Sequence, residues 1–168
     1  NLHSERLVSE QASTDYRQEF ANISSMISQA ATLDDWMRLY EKLTFWEMKL
    51  AAADTAMDTM LEMQREEANT EFYKFVKRNY EDWLSGDDRP TMSDTIFRKS
   101  IFPMLDKGEK VFFVLVDNFR LDQWQMVKPL LADTFTFEES LYTSILPTAT
   151  QYARNAIFSG LMPIQIAK

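Results

Sequence analysis

"KVFFVLVDNFRLDQW" spans residues 110–124, and the fold turns on how it is read. Val111 to Val116 is an unbroken apolar run that ends in the carboxylate of Asp117, with Asn118 and Arg120 close behind. The run is too short to cross a membrane and lacks the alternation of a half-buried strand, so it predicts a strand covered on both faces. A helical pattern follows in Phe119, Leu121, Trp124, Val127, Leu130 and Leu131, with Pro129 expected to bend or shorten it. Phe135, Phe137, Leu141, Tyr142 and Ile145 then predict one strand between Thr134 and Ile145. "LPTATQYARNAIFSGLMP" at 146–163 turns into a helix over about Thr150–Ser159. Strand, helix, strand, helix is the beginning of an α/β domain with a mostly parallel sheet.

Upstream the composition changes. No glycine or proline occurs before Gly86, whereas all 3 glycines and 5 prolines fall from there on. Tyr16, Phe20, Ile23, Ile27 and Ala30 recur at helical spacing. Thr32 and Asp35 resemble a capped helix start, leading into a second stripe of Leu33, Trp36, Tyr40, Leu43, Trp46 and Leu50. A third stripe, Met57, Leu61, Ala68, Phe72, Phe75 and Trp83, runs to Gly86, a good helix terminator. The turn between the second and third helices is placed near Ala53–Thr55 with Asp54 as cap; a turn near Asn69 is the alternative. Three helices of similar length can bury their stripes mutually, so residues 1–86 predict a three-helix bundle or linker. The aromatic and methionine stripes read as core rather than as a cofactor box, and Arg65–Glu67 as a solvated face. After the loop "SGDDRPTM", Ser93 reads as the cap of a helix carrying Ile96, Phe97, Ile101, Phe102 and Leu105, interrupted by Pro103 and closed at Gly108. The second region is therefore 87–168.

The 168 residues are 45% hydrophobic with a formal charge of −8, which allows one ordinary domain or a small domain plus part of another. Acidic residues spread along the chain argue against a basic surface for duplex nucleic acid. The absence of cysteine excludes disulfides and thiolate metal sites and fits a reducing compartment without proving one. Histidine occurs once, at His3. No apolar stretch approaches the roughly 20 residues of a membrane helix and no signal peptide opens the chain, so the cytoplasm is the expected location. "NLHSERLVSEQ" has no methionine and reads as the interior of a helix, so the sequence is expected to be a piece of something longer.

In open α/β sheets ligands bind beyond the carboxyl ends of the strands. Asp117 sits at one such end, and Thr148 and Thr150 follow the next strand at the mouth of a helix. Each alone reads first as a cap or loop residue. Together they offer a carboxylate to hold a cation and a hydroxyl that the same cation can activate as a nucleophile toward phosphorus. A helix N-terminus adds N–H donors for the attacked phosphate.

At these residues the chain resembles the alkaline-phosphatase superfamily. "VFFVLVDNFRLDQW" is similar to its opening strand, which ends in a metal-ligand aspartate within D-G-x-R; Asn118 replaces the glycine and Arg120 keeps the arginine. "PTATQYARNAIFSGLMP" resembles its P-[TS]-x-T segment, which implies that Thr150 is nucleophile and metal ligand, with Ser159, Gly160 and Pro163 in the turn that follows. An asparagine found in some of its phosphodiesterases is Ala153 here, with Asn155 nearby. The closer resemblance is to the PglZ branch and to PorX-type response regulators, in which a receiver domain precedes a three-helix bundle and a PglZ domain. That resemblance implies a zinc-dependent phosphodiesterase, with two ions in the complete domain and further ligands beyond this chain. It implies cyclic or linear oligonucleotide substrates, a sensor histidine kinase and secretion or transcription regulators as partners, a possible homodimer, and a role in type IX secretion. On the ligand count the 168 residues by themselves are expected to be inactive. The competing reading is a non-catalytic signalling or dimerisation module that binds a partner protein.

Overall fold

The computed structural model describes residues 2–51, 57–86 and 89–167, with side chains from Leu7 onward. Helices α1 (Leu2–Gln29), α2 (Leu33–Ala51) and α3 (Asp58–Ser85) come first, followed by a 3₁₀ turn at Ser93–Thr95 and a π-helical segment at Phe97–Ile101. Then come α4 (Phe102–Asp106), α5 (Leu121–Leu131), α6 (Thr150–Ser159) and α7 (Pro163–Ile166). Two compact units divide the chain: residues up to Asp82 with Arg120–Phe135, and Trp83–Phe119 with the residues from Thr136 onward.

The first unit is the predicted helical bundle. Ala12, Tyr16, Ile23 and Ile27 of α1, Trp36, Leu39, Leu43, Trp46 and Leu50 of α2, and Leu61, Ala68 and Phe75 of α3 are buried. Each large apolar side chain so buried contributes about 1.5–3 kcal/mol before entropy is counted. Tyr40 was expected in the stripe but is exposed, and Leu39 takes its place in the core. A position one residue along a helix lies about 100° away around the axis, so a half-polar tyrosine at the stripe's edge can face water. The α2 start is a capping box: Asp35 N–H donates to Thr32 Oγ1 at 3.2 Å while Thr32 N–H donates to Asp35 Oδ2 at 2.9 Å. Asn69 lies inside α3, so the alternative turn there is excluded; the expected cap Asp54 lies outside the described residues.

Ion pairs flank the core. Lys42 meets Glu19 at 2.6 Å and Lys49 meets Asp15 at 2.7 Å, tying α2 to α1, and Arg65 pairs with Glu47 between α3 and α2. The core also holds one polar layer. Tyr16 donates its hydroxyl to Gln64 Oε1 at 2.8 Å, and Gln64 Nε2 donates to Phe20 O at 2.9 Å and to Ser24 Oγ at 2.8 Å. The Tyr16 ring also lies 5.4 Å from that of Trp46, so this one side chain joins all three helices. Helix α5 packs on α2 in the same unit, leaving a groove lined by Glu41, Phe45, Met48, Leu121 and Gln125.

In the second unit the expected strands do not form among the described residues. Residues 111–116 run without a ladder partner, and Phe112 is 93% exposed and Val114 78%. The expected burial on both faces is thus corrected. A strand, unlike a helix, takes its hydrogen bonds from a distant segment, and none pairs with this run here. The only bridge among the described residues joins Met92 to Thr143, and its sense is parallel.

The helix expected from Ser93 is broken into three pieces. Pro103 lacks an N–H and its ring crowds the carbonyl four residues back, and the wider π turn at Phe97–Ile101 directly precedes it. Gly108 closes α4 at φ 80°, where a side chain would be strained. Phe97, Phe113 and Phe158 pack together, with ring centroids 4.8 to 6.0 Å apart.

Candidate functional site

Asp117 and Asn118 form a turn directly after the apolar run. Asn118 has φ 56°, the left-handed region that asparagine tolerates better than other side-chain-bearing residues. That is a physical reason for glycine at the matching place in D-G-x-R and for asparagine as its substitute. Arg120, which begins the next segment, forks onto Asp122: Nε donates at 2.9 Å and Nη2 at 2.7 Å.

Thr150 is the first residue of α6, and the residue before it, Ala149, occupies the N-cap in extended geometry with no side chain capping the helix. The expectation that either threonine might cap α6 is therefore corrected. Its hydroxyl is not spent on the helix. Thr150 Oγ1 faces Asp117 Oδ1 at 3.4 Å, and both residues are exposed. That separation is long for an O–H···O hydrogen bond. It is the spacing of two oxygens that share one tetrahedral ion, since donors about 2.0–2.2 Å from such an ion lie about 3.4 Å apart. The sequence-predicted pair is thus brought together across 33 residues of chain. Among the described residues no group of three or more His, Cys, Asp or Glu that could hold a metal ion is found.

The end of α6 is fixed as the motif requires. Gly160 caps it at φ 68°, its N–H donating to Ala156 O at 3.0 Å, while Leu161 N–H donates to Ser159 Oγ at 3.2 Å. Pro163 opens α7, where its missing N–H costs nothing.

Sequence reasoning missed the support beneath this site. Ser93 does not cap a helix; Met92 holds the N-cap position and gives its N–H to Thr95 Oγ1 at 2.8 Å. The Ser93 hydroxyl instead accepts from Ile145 N–H at 3.2 Å. Burial pushes the Tyr142 phenol above its usual range, while its hydrogen bond with Ser93 opposes that shift. Arg89 pairs with the nearly buried Asp94 at 2.8 Å. The only sequence signal for this cluster was the run Ser93-Asp94-Thr95 itself.

Two family matches cover this architecture. Residues 6–84 match the PorX response regulator linker domain. Residues 96–168 match the BREX system PglZ alkaline phosphatase-like domain. The two matches, in this order, agree with the resemblance to PorX-type proteins. The capping box and the Tyr16–Gln64 layer fall in the linker match, and Asp117 and Thr150 in the PglZ match. Ser93 lies just ahead of the latter. No curated protein matches the chain. Among the described residues no helix is long and apolar enough to cross a membrane.

Proposed function

We propose that Asp117 and Thr150 belong to the metal site of a phosphodiesterase, with zinc as the metal, in a PorX-type response regulator. The observation that carries this reading is the 3.4 Å approach of an uncapping hydroxyl to a carboxylate at a helix start. Zinc held there would lower the hydroxyl's pKa and offset charge on the phosphate. The Thr150 oxygen attacks phosphorus, the ester bond to the leaving alkoxide breaks, and the proton given up by the hydroxyl passes through solvent to that alkoxide, which departs as the alcohol. Water then hydrolyses the phosphothreonyl intermediate and restores the hydroxyl. Asp117 would hold the cation, and the α6 N-terminus would offer N–H donors to the non-bridging oxygens. The substrates by family resemblance are small cyclic or linear oligonucleotides, and the setting is a cytoplasmic regulator of type IX secretion that takes its signal from a histidine kinase.

The proposed organisation is a helical linker to about Gly86 followed by the phosphatase-like domain. The apolar runs at 111–116 and 135–145 join its mostly parallel sheet. The parallel sense of the Met92–Thr143 bridge and the exposed Phe112 and Val114, which call for cover, support that assignment. The packing of α5 on α2 favours a compatible second reading, in which the bundle transmits receiver phosphorylation to a dimer or a partner protein.

Asp117→Asn in the intact protein tests the metal site, because it keeps the side chain's size and removes its charge. Metal content after dialysis and zinc-dependent hydrolysis of a chromogenic phosphodiester should both fall at least tenfold, with thermal stability little changed. Full metal occupancy and turnover in the variant would leave Asp117 an ordinary turn residue.

A further inference from the structure

We infer that Ser93 is a positioning residue for the Thr150 nucleophile, an inference that rests on the phosphodiesterase reading above. The starting point is an oddity of burial. Ser93 is 0% exposed and Thr95 1%, although both sit in a one-turn 3₁₀ segment, and the neighbouring Met92 and Ile145 are 0% exposed as well. Buried hydroxyls are retained where they have partners to satisfy, and those partners show what the turn holds.

Among the described residues the partners of the Ser93 hydroxyl lie in the segment that leads into Thr150. Its Oγ accepts from Ile145 N–H at 3.2 Å and lies 3.4 Å from Ser144 Oγ. Two residues back on each segment, Thr143 N–H donates to Thr91 O at 3.0 Å, in the parallel bridge of Met92 with Thr143. The serine hydroxyl therefore continues the ladder where the backbone of the 3₁₀ turn has curled away and can no longer pair. The chain from Ile145 passes through Pro147 to Thr148 and into α6, so the height of Thr150 against Asp117 is set from this anchor.

The same turn also braces the far end of α6. It packs along that helix, and the Asp94 backbone oxygen lies 3.7 Å from where a Cβ on Gly160 would stand. Asp94 is itself fixed by Arg89, and Lys99 Nζ donates to the Arg89 carbonyl at 2.5 Å. One polar turn thus holds the segment leading into the nucleophile helix and packs against that helix's far end. Because in-line attack needs the reacting atoms within a few tenths of an ångström, loss of one anchor should show in the chemical step rather than in binding.

The experiment is steady-state hydrolysis of a chromogenic phosphodiester by the intact protein at saturating zinc, comparing wild type, Ser93→Ala and Thr150→Ala. For Ser93→Ala the expected result is a kcat lowered about tenfold or more, a KM within about twofold of wild type, and unchanged metal content. A folded Ser93→Ala protein with wild-type kcat, beside an inactive Thr150→Ala, would overturn the positioning role alone. An active Thr150→Ala would overturn the phosphodiesterase reading and this inference with it. Should Ser93→Ala fail to fold, Ser144→Ala decides: it removes one neighbour of the same hydroxyl, and a several-fold fall in kcat at constant KM supports the role, while an unchanged kcat rejects it.

Discussion

Gln64 fills a core position of the bundle with an amide, and replacing it by leucine is the sharpest test of the packing. The side chain is 2% exposed, and its three bonds reach Tyr16, Phe20 and Ser24. In Gln64→Leu the Phe20 carbonyl keeps its helical partner and Ser24 can rotate, but the Tyr16 hydroxyl loses its acceptor inside the core. An orphaned buried hydroxyl costs about 1–3 kcal/mol. The added apolar burial of leucine offsets about 1 kcal/mol of that. The net expected loss is about 0–2 kcal/mol. Tyr16→Phe leaves the Gln64 oxygen unpaired and should cost a similar amount. In the double variant neither orphan exists, so its stability should return to within about 0.5–1 kcal/mol of wild type, although additive effects would predict the full sum of the two single losses. Urea unfolding followed by far-UV circular dichroism measures all four corners of the cycle. Additivity within about 0.5 kcal/mol would refute the claim that the two groups satisfy each other.

Other outcomes follow from single groups. The Thr32 hydroxyl, then the Thr32 and Ala31 N–H groups, hold Asp35 well below the usual carboxylate range. A depressed folded pKa gives stability that is present above about pH 4 and lost as pH falls toward the folded value, so Asp35→Asn should flatten the acid limb of a stability–pH curve. An unchanged limb would remove the capping box from the account. Burial pushes the Tyr16 phenol up to about 12, so its contribution is present below about pH 10 and lost as pH rises through the folded value. Spectrophotometric titration should show one tyrosine ionising late and only with unfolding, a signal absent in Tyr16→Phe. At φ 56°, Asn118→Gly should retain activity, while Asn118→Val should cost about 1–2 kcal/mol in thermal or urea melts. Equal behaviour of the two would mean that the turn is not held in this conformation.

Helices were the legible part of the chain. Their hydrogen bonds and periodicity are local, so the stripes of α1 to α3, the Thr32–Asp35 box and the limits of α6 could be read directly. Tyr40 against Leu39 shows the limit of that reading, because neighbouring positions at a stripe's edge differ only in what the other helices bring to them. Gln64 was invisible for the same reason: it sits at core spacing between Leu61 and Ala68, and only the facing Tyr16 shows that its amide points inward. Strands depend on partners remote in sequence, which is why the 111–116 run announced its apolar character without its pairing. The Asp117–Thr150 approach was legible through motif chemistry alone. Its support at Ser93 was not, since a serine before a helical pattern looks like a cap until the segment it holds is known.

The most direct test of the central claim compares Thr150→Ala with Thr148→Ala in hydrolysis of a chromogenic phosphodiester by the intact, zinc-loaded protein. Only Thr150 has its hydroxyl 3.4 Å from the Asp117 carboxylate among the contacts of this segment. The account predicts that Thr150→Ala loses at least about 100-fold in kcat while remaining folded and that Thr148→Ala stays within a few-fold of wild type. Equal losses in the two variants, or a fully active Thr150→Ala, would contradict it.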